Sequence, residues 1–193
     1  MHLKDIVRYS TVELPVDWLK IPSIDQTFKT VVVEYFGLRY EGLPIVITES
    51  NLPSWQMLII FEYLRKQCSE IVLQIPGHNF ILLHSILPKE RYTRPEPIQI
   101  YSELFAVIPE VPAQKTSQIE CDLAAIPPAQ GDKIIDAILA IKQTLRFADL
   151  IVLKNAPNIL TALIAYILWL SVATNITYQE NEQSFEIFNY DQN

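Results

Sequence analysis

Residues 44–67 read PIVITESNLPSWQMLIIFEYLRKQ, and they decide the fold. Pro44–Thr48 carries β-branched residues on both faces, which is typical of a strand buried between two layers. Pro53 suits the first turn of a helix, where its missing N–H is not needed, and the apolar residues after it predict a helix to Gln67. A buried strand, a helix and another strand form a βαβ crossover, so we expect a parallel sheet covered by helices.

The flanking sequence completes one unit of order ββαβαββ. Asp25 can cap a helix, and the Glu41-Gly42 pair ends it. Upstream, the predicted elements are strands over Leu3–Tyr9 and Thr11–Trp18 and a helix over Gln26–Tyr40. Downstream, they are strands over Ile71–Ile75 and Phe80–Leu83.

The same order of elements recurs in the second half of the chain. Pro53 aligns with Pro157 and Leu64 with Leu168, a spacing of about 100 residues that is typical of a duplicated small α/β unit. The predicted elements are strands over Ile98–Ile108 and Gln118–Leu123, a helix over Asp132–Arg146, a strand over Leu150–Leu153, a helix over Pro157–Leu170, and strands over Asn175–Tyr178 and Phe185–Phe188. We therefore predict an α/β (α+β) chain of two tandem units, 1–88 and 98–193, joined by a linker over 89–97. The alternative is that the two halves are similar α/β units that did not arise by duplication.

The helices of both units are apolar on nearly every side. Such a helix must be buried on more than one face, which predicts packing between the units as an intramolecular pseudo-dimer, or docking against another chain. The second possibility defines an alternative function, a noncatalytic assembly subunit that uses helices 54–67 and 159–170. The apolar run Ile159–Ala173 falls short of the roughly 20 residues that span a bilayer, and Asn158 can cap it, so we expect a buried helix there rather than a membrane segment.

Composition excludes several classes of function. The 193 residues carry 15 Lys and Arg against 22 Asp and Glu, a net charge of −7 that repels DNA and long RNA but still allows a small anionic ligand. Two cysteines give neither a disulfide framework nor a zinc site, and the charged N-terminus is unlike a signal peptide, so we expect a cytoplasmic protein. No glycine-rich phosphate loop is present in the sequence.

Two short polar loops follow the predicted buried strands. Ligands of open α/β sheets bind at the carboxyl ends of strands, beside helix N-termini that attract phosphate. The candidate ligand-binding residues are therefore Thr48, Glu49, Ser50, Asn51, Lys154 and Asn155. Lys154 is the best phosphate candidate, because it stands alone among uncharged residues at a strand end. The alternative is an ordinary loop with a helix cap.

Residues 44–85 resemble the small CRISPR-associated ring nucleases of type III systems, which cleave cyclic tetra-adenylate. The resemblance lies in the strand Pro44–Ile47, the Pro53-Ser54-Trp55 helix start, and the strands Ile71–Leu73 and Ile81–Ser85. It covers about a quarter of the chain and is weaker in the second half. It implies a cyclic oligoadenylate, a small RNA ligand, as the partner, and a role in antiviral defence.

The same resemblance suggests catalytic residues, with departures from the family pattern. Where the family has a histidine at the helix end this chain has Arg65 and Lys66, and where it has an aspartate this chain has Gln74. Only His84 lies close to a family histidine. The expected site uses His84 and Arg65 for metal-independent cleavage and Lys66 for binding, with no cofactor and no metal. The alternative to an active nuclease is a protein that binds the ring but no longer cleaves it. Either protein could form a homodimer or bind a partner protein.

Overall fold

A computed structural model describes residues 9–48, 50–75, 78–84 and 116–192, of which 75, 78–84, 116 and 192 are described by their backbone alone. The chain has a mixed α/β fold, as the sequence predicts. Its helices are α1 (Asp25–Phe36), α2 (Ser54–Arg65), α3 (Ile134–Lys142) and α4 (Ile159–Trp169). Its strands are β1 (Ser10–Val12), β2 (Pro44–Thr48), β3 (Glu70–Ile75), β4 (His78–His84), β5 (Thr116–Asp122), β6 (Ala148–Lys154), β7 (Ala173–Glu180) and β8 (Gln183–Asn189). Short 3-10 helices cover Val16–Lys20, Leu123–Ala125, Gly131–Lys133 and Tyr190–Gln192.

The strands form two four-stranded sheets, ordered β1-β2-β3-β4 and β5-β6-β7-β8. In each sheet the first three strands are parallel and the fourth is antiparallel to the third. In the first sheet Thr48 pairs with Gln74 at the carboxyl edge, whereas Pro44 pairs with Glu70 at the amino edge. Because α2 connects β2 to the parallel β3, it runs back from the carboxyl edge to the amino edge.

Two predicted boundaries in the first half are wrong. The strand predicted over Thr11–Trp18 ends at Val12, and Val16–Lys20 forms a 3-10 helix instead. This turn buries Trp18, whose ring meets the edge of Phe28 with the ring centroids 5.3 Å apart. Helix α1 ends at Phe36 and not at Tyr40, because Gly37 adopts φ 51°.

Several predictions fall outside the described residues. The strand over Leu3–Tyr9 lies there except for Tyr9, as do the linker over 89–97 and the strand over Ile98–Ile108. The other predicted strands and helices correspond to observed elements, with ends that differ by a few residues.

Helices α2 and α4 lie in the interior, where they contact each other. Helix α2 also packs on β8, where the rings of Trp55 and Phe185 stack at 4.2 Å with an interplanar angle of 4°. Most of the apolar side chains that these two helices would use to dock a partner are covered by the chain itself. Within the described ranges, no helix combines the length and the apolar character needed to cross a bilayer.

Candidate functional site at the carboxyl edges of the sheets

The first candidate loop follows β2 at the carboxyl edge of the first sheet. Thr48 is exposed, and the Ser50 hydroxyl accepts a hydrogen bond from the Leu52 N–H at 3.4 Å. Ser50 and Asn51 line a cavity of about 250 Å³ beside the 3-10 helix Val16–Lys20. Glu49 lies outside the described residues. The N-cap residue of α2, Pro53, makes no side-chain hydrogen bond to the first N–H groups of this helix, although its carbonyl accepts from the Gln56 N–H at 3.1 Å.

The second candidate loop follows β6 and carries opposite charges close together. Lys154 Nζ lies 2.8 Å from Glu120 Oε2 on the neighbouring β5, and this bond raises the pKa of Lys154. Lys154 stands alone among uncharged residues in the sequence, but in the fold it has a partner from a strand that is distant in sequence. Asn155 adopts φ 56° and its amide donates to Asp122 Oδ1 at 3.2 Å. The pKa of Asp122 is lowered, first by the Ala124 N–H and then by Asn155.

Tyr178 joins the two loops, and the sequence did not single it out. Its buried hydroxyl accepts a hydrogen bond from the Ala156 N–H at 3.1 Å. The Ser54 hydroxyl, at the start of α2, interacts with the same phenol oxygen, and burial raises the pKa of Tyr178. The start of α2 and the loop after β6 are therefore neighbours. The sequence signal that could have found this contact is the single tyrosine of β7, Tyr178.

The predicted catalytic residues lie at the other edge. Arg65 ends α2, and the backbone of His84 pairs with Glu70 at the amino edge of the first sheet. A helix rises about 1.5 Å per residue, so Arg65 lies about 17 Å from Ser54 along α2. Thr48–Asn51 and the pair Arg65 and His84 therefore do not form one small site.

Arg65 and Lys66 are engaged by a buried carboxylate, Glu62. Arg65 donates twice to Glu62, with Nη2 3.0 Å from Oε1, and Lys66 Nζ lies 3.1 Å from the same oxygen. The hydroxyl of Tyr166 on α4 donates to Glu62 Oε2. Burial and the negative charge of Glu62 raise the pKa of Tyr166. Arg65 is therefore an ion-pair partner of Glu62 at the contact between α2 and α4.

The described residues bring no three His, Cys, Asp or Glu side chains together in a way that could hold a metal ion. The chain matches no protein-family model, and comparisons with curated proteins and with solved structures found no significant match.

Proposed function

We propose that this cytoplasmic chain binds a cyclic oligoadenylate second messenger of type III CRISPR defence, where the loop after β2 and the loop after β6 adjoin. The observation that carries the proposal is the hydrogen bond between Glu62 and Tyr166, which are 104 residues apart. The same offset aligns Pro53 with Pro157 and Leu64 with Leu168.

That offset supports an intramolecular pseudo-dimer of two tandem units. Residues at equivalent positions meet only close to a twofold axis, so we infer a pseudo-twofold axis near Glu62 and Tyr166. Reciprocal contacts support it, because α2 packs on β8 and α4 packs on β4. A twofold receptor suits a ring of identical nucleotides, since each half of the ring offers the same groups to each half of the protein.

The two loops offer complementary groups to such a ring. The start of α2, which has no side-chain cap from Pro53, suits a phosphate oxygen, and Thr48, Ser50 and Asn51 can bond a ribose or a base. On the other side, Lys154 can exchange Glu120 for a phosphate, because this ion pair is partly open to solvent. Asn155 can exchange Asp122 in the same way.

We propose binding without cleavage by the predicted catalytic pair. Cleavage needs a 2′-hydroxyl held in line with the next phosphorus, together with an acid–base pair at that point. His84 and Arg65 belong to the amino edge, and Arg65 is held by Glu62. A ring bound at the carboxyl edge is out of reach of both.

The test is calorimetric titration of the full chain with cyclic tri-, tetra- and hexa-adenylate and with linear tetra-adenylate, followed by chromatography of the ligand. We expect one ring to bind selectively and to be recovered intact. Lys154→Gln should weaken binding about tenfold, the equivalent of about 1.4 kcal/mol for one charged hydrogen bond. The matched control, Lys133→Gln, alters an exposed lysine at the start of α3 and should leave affinity unchanged.

Asn155→Gly tests the loop without straining it, because glycine accepts the positive φ of this position. We expect weaker binding and an unchanged melting curve. Failure of every ring to bind, or equal affinity for the linear and cyclic ligands, overturns the proposal. Recovery of a linear product overturns the part that denies cleavage.

A further inference from the structure

A second cavity, of about 200 Å³, lies between α1, α2 and β8. Its apolar lining includes Val33 from α1, Ile59 from α2, and Ile187 and Phe188 from β8. Lys29, Lys66, Glu62 and Glu186 supply the charged part of the lining. The cavity is therefore bounded by both halves of the chain, and it lies toward the amino edge, away from the loops after β2 and β6.

Lys66 is the more exposed of the two lysines in this lining, and its ammonium pairs with Glu62. It shares Glu62 with Arg65, which donates twice, and with the hydroxyl of Tyr166. A carboxylate that already receives these three bonds stays paired when the Lys66 ammonium turns toward a ligand. The side chain of Lys66 is 44% exposed, so it has room to move, whereas Glu62 is only 9% exposed.

Lys29 offers a second cation on the opposite wall. Its Nζ lies 3.5 Å from Glu186 Oε1, a longer and weaker contact than that of Lys66. The Phe188 ring lies under the Arg65 guanidinium at 5.6 Å, which fixes an aromatic surface beside the two lysines. An anionic group near Lys66 with an apolar body against Ile59 and Phe188 would use both parts of the lining.

The size of the cavity limits the ligand. A cavity of about 150 Å³ takes up benzene in a protein interior, so 200 Å³ holds one six-membered ring with a small substituent. It is smaller than the roughly 300–1,000 Å³ of pockets for drug-sized ligands. None of the loop residues Thr48, Ser50, Asn51, Lys154 and Asn155 lines it, so this site is independent of the proposed cyclic oligoadenylate site.

We propose that the cavity between α1, α2 and β8 binds a small aromatic or branched aliphatic monocarboxylate, with the carboxylate on Lys66 and the apolar body between Val33, Ile59 and Phe188. A ligand in this position contacts α1 and α2 from the first half and β8 from the second. It therefore stabilises the packing of the two halves through its differential binding to the folded chain.

The test is titration of the full chain with benzoate, benzyl alcohol and benzylamine, followed by NMR chemical shifts and by calorimetry. We expect saturable binding of benzoate at about millimolar concentration, with benzyl alcohol and benzylamine at least about fivefold weaker. Lys66→Gln should reduce benzoate affinity about fivefold or more while leaving benzyl alcohol unchanged. The matched control is Lys20→Gln, which removes an exposed lysine that pairs with Asp17 and does not line the cavity, and it should change nothing.

A second variant keeps the proposal falsifiable if Lys66→Gln unfolds the chain. Val33 is 50% exposed at the rim, so Val33→Phe can fill the cavity without disturbing the core and should abolish benzoate binding. Equal affinity for benzoate and benzyl alcohol, unchanged binding in Val33→Phe, or no saturation up to roughly 10 mM overturns the proposal. Competition between benzoate and a cyclic oligoadenylate would overturn the independence of the two sites.

Discussion

Glu62 is a buried carboxylate whose hydrogen bonds come from both halves of the chain. Removing a carboxylate from water costs several kcal/mol unless the protein replaces the lost hydrogen bonds. Arg65 and Lys66 supply these bonds from the end of α2, and the Tyr166 hydroxyl supplies another from α4. The contact between α2 and α4 is therefore specified by a polar group inside an apolar interface. If the two helices packed in a shifted position, Glu62 would lose the hydrogen bond from Tyr166.

Tyr166→Phe should lower the free energy of unfolding by about 2 kcal/mol, the typical worth of a hydrogen bond to a charged group. Urea denaturation measures the change. The matched control is Tyr63→Phe, which removes a bond of 2.7 Å to the neutral carbonyl of Gly37 and should cost about 1 kcal/mol. In a double-mutant cycle with Glu62→Gln, we expect a coupling energy of about 1 kcal/mol or more between Tyr166 and Glu62. Additive effects would contradict the importance of this bond.

The raised pKa of Tyr166 makes stability depend on alkaline pH. In the unfolded chain the phenol loses its proton near its ordinary pKa of about 10, whereas the folded chain holds the proton to higher pH because of burial and the charge of Glu62. The contribution of Tyr166 to the free energy of unfolding is therefore complete below pH 10. It is lost as the pH rises toward the pKa of Tyr166 in the folded chain.

We expect the free energy of unfolding of the wild-type chain to fall above pH 10 by up to about 1.4 kcal/mol per pH unit more than that of Tyr166→Phe. Urea denaturation from pH 8 to pH 11 measures this difference. Burial also raises the pKa values of Tyr178 and the two buried cysteines, but these groups are present in both proteins and their effects cancel. Parallel pH profiles would contradict the expectation.

Local signals predicted some helices and strands better than others. Asn158 and the apolar run after it were sufficient for α4, because a capped, wholly apolar stretch has few other solutions. The strand-like stretch from Thr11 to Trp18 was misleading, since Val16–Lys20 forms a 3-10 helix that buries Trp18 against α1. The end of α1 was missed although Gly37 carries the signal, because the later Glu41-Gly42 pair offered a competing one.

Asn158→Ala should destabilise the fold by about 1–2 kcal/mol through the loss of the cap of α4. The side-chain oxygen of Asn158, Oδ1, accepts a hydrogen bond from the Thr161 N–H at 2.8 Å, and Nδ2 donates to the Ala129 carbonyl at 3.2 Å. Asn158→Asp is the matched variant, because it keeps the acceptor and loses only the donor. In thermal unfolding, the melting temperature should be highest for the wild type, lower for Asn158→Asp and lowest for Asn158→Ala. Equal melting temperatures for the Ala and Asp variants would mean that the cap contributes little.

The candidate site was predictable in its parts and not in its assembly. Each loop follows its strand as expected, but Glu120 neutralises Lys154 from a neighbouring strand, and Tyr178 links the loops through contacts across the whole molecule. Such long-range pairs leave no local pattern in the sequence. The separation of Arg65 from the loops could have been foreseen, because a crossover helix must return to the amino edge of its sheet.

The whole chain should depend on the contact between its halves. Residues 1–88 and 98–193 produced separately would each expose an apolar helix, α2 or α4, which is buried in the intact chain. We expect each fragment alone to aggregate, and the two co-expressed fragments to purify as a one-to-one complex, because burial of apolar surface favours their association. Size-exclusion chromatography measures this. Two fragments that each unfold cooperatively as monomers would contradict the expectation.

The Glu62–Tyr166 contact also bears on how such a chain could evolve. In a dimer of identical subunits, a residue on the twofold axis faces its own copy, so a buried carboxylate would face a second carboxylate and repel it. Under the proposed duplication, fusion removes this restriction and lets one copy keep an acid while the other supplies a phenol. Once the two positions have diverged in this way, neither half can pair with a copy of itself, and the fused state becomes difficult to reverse.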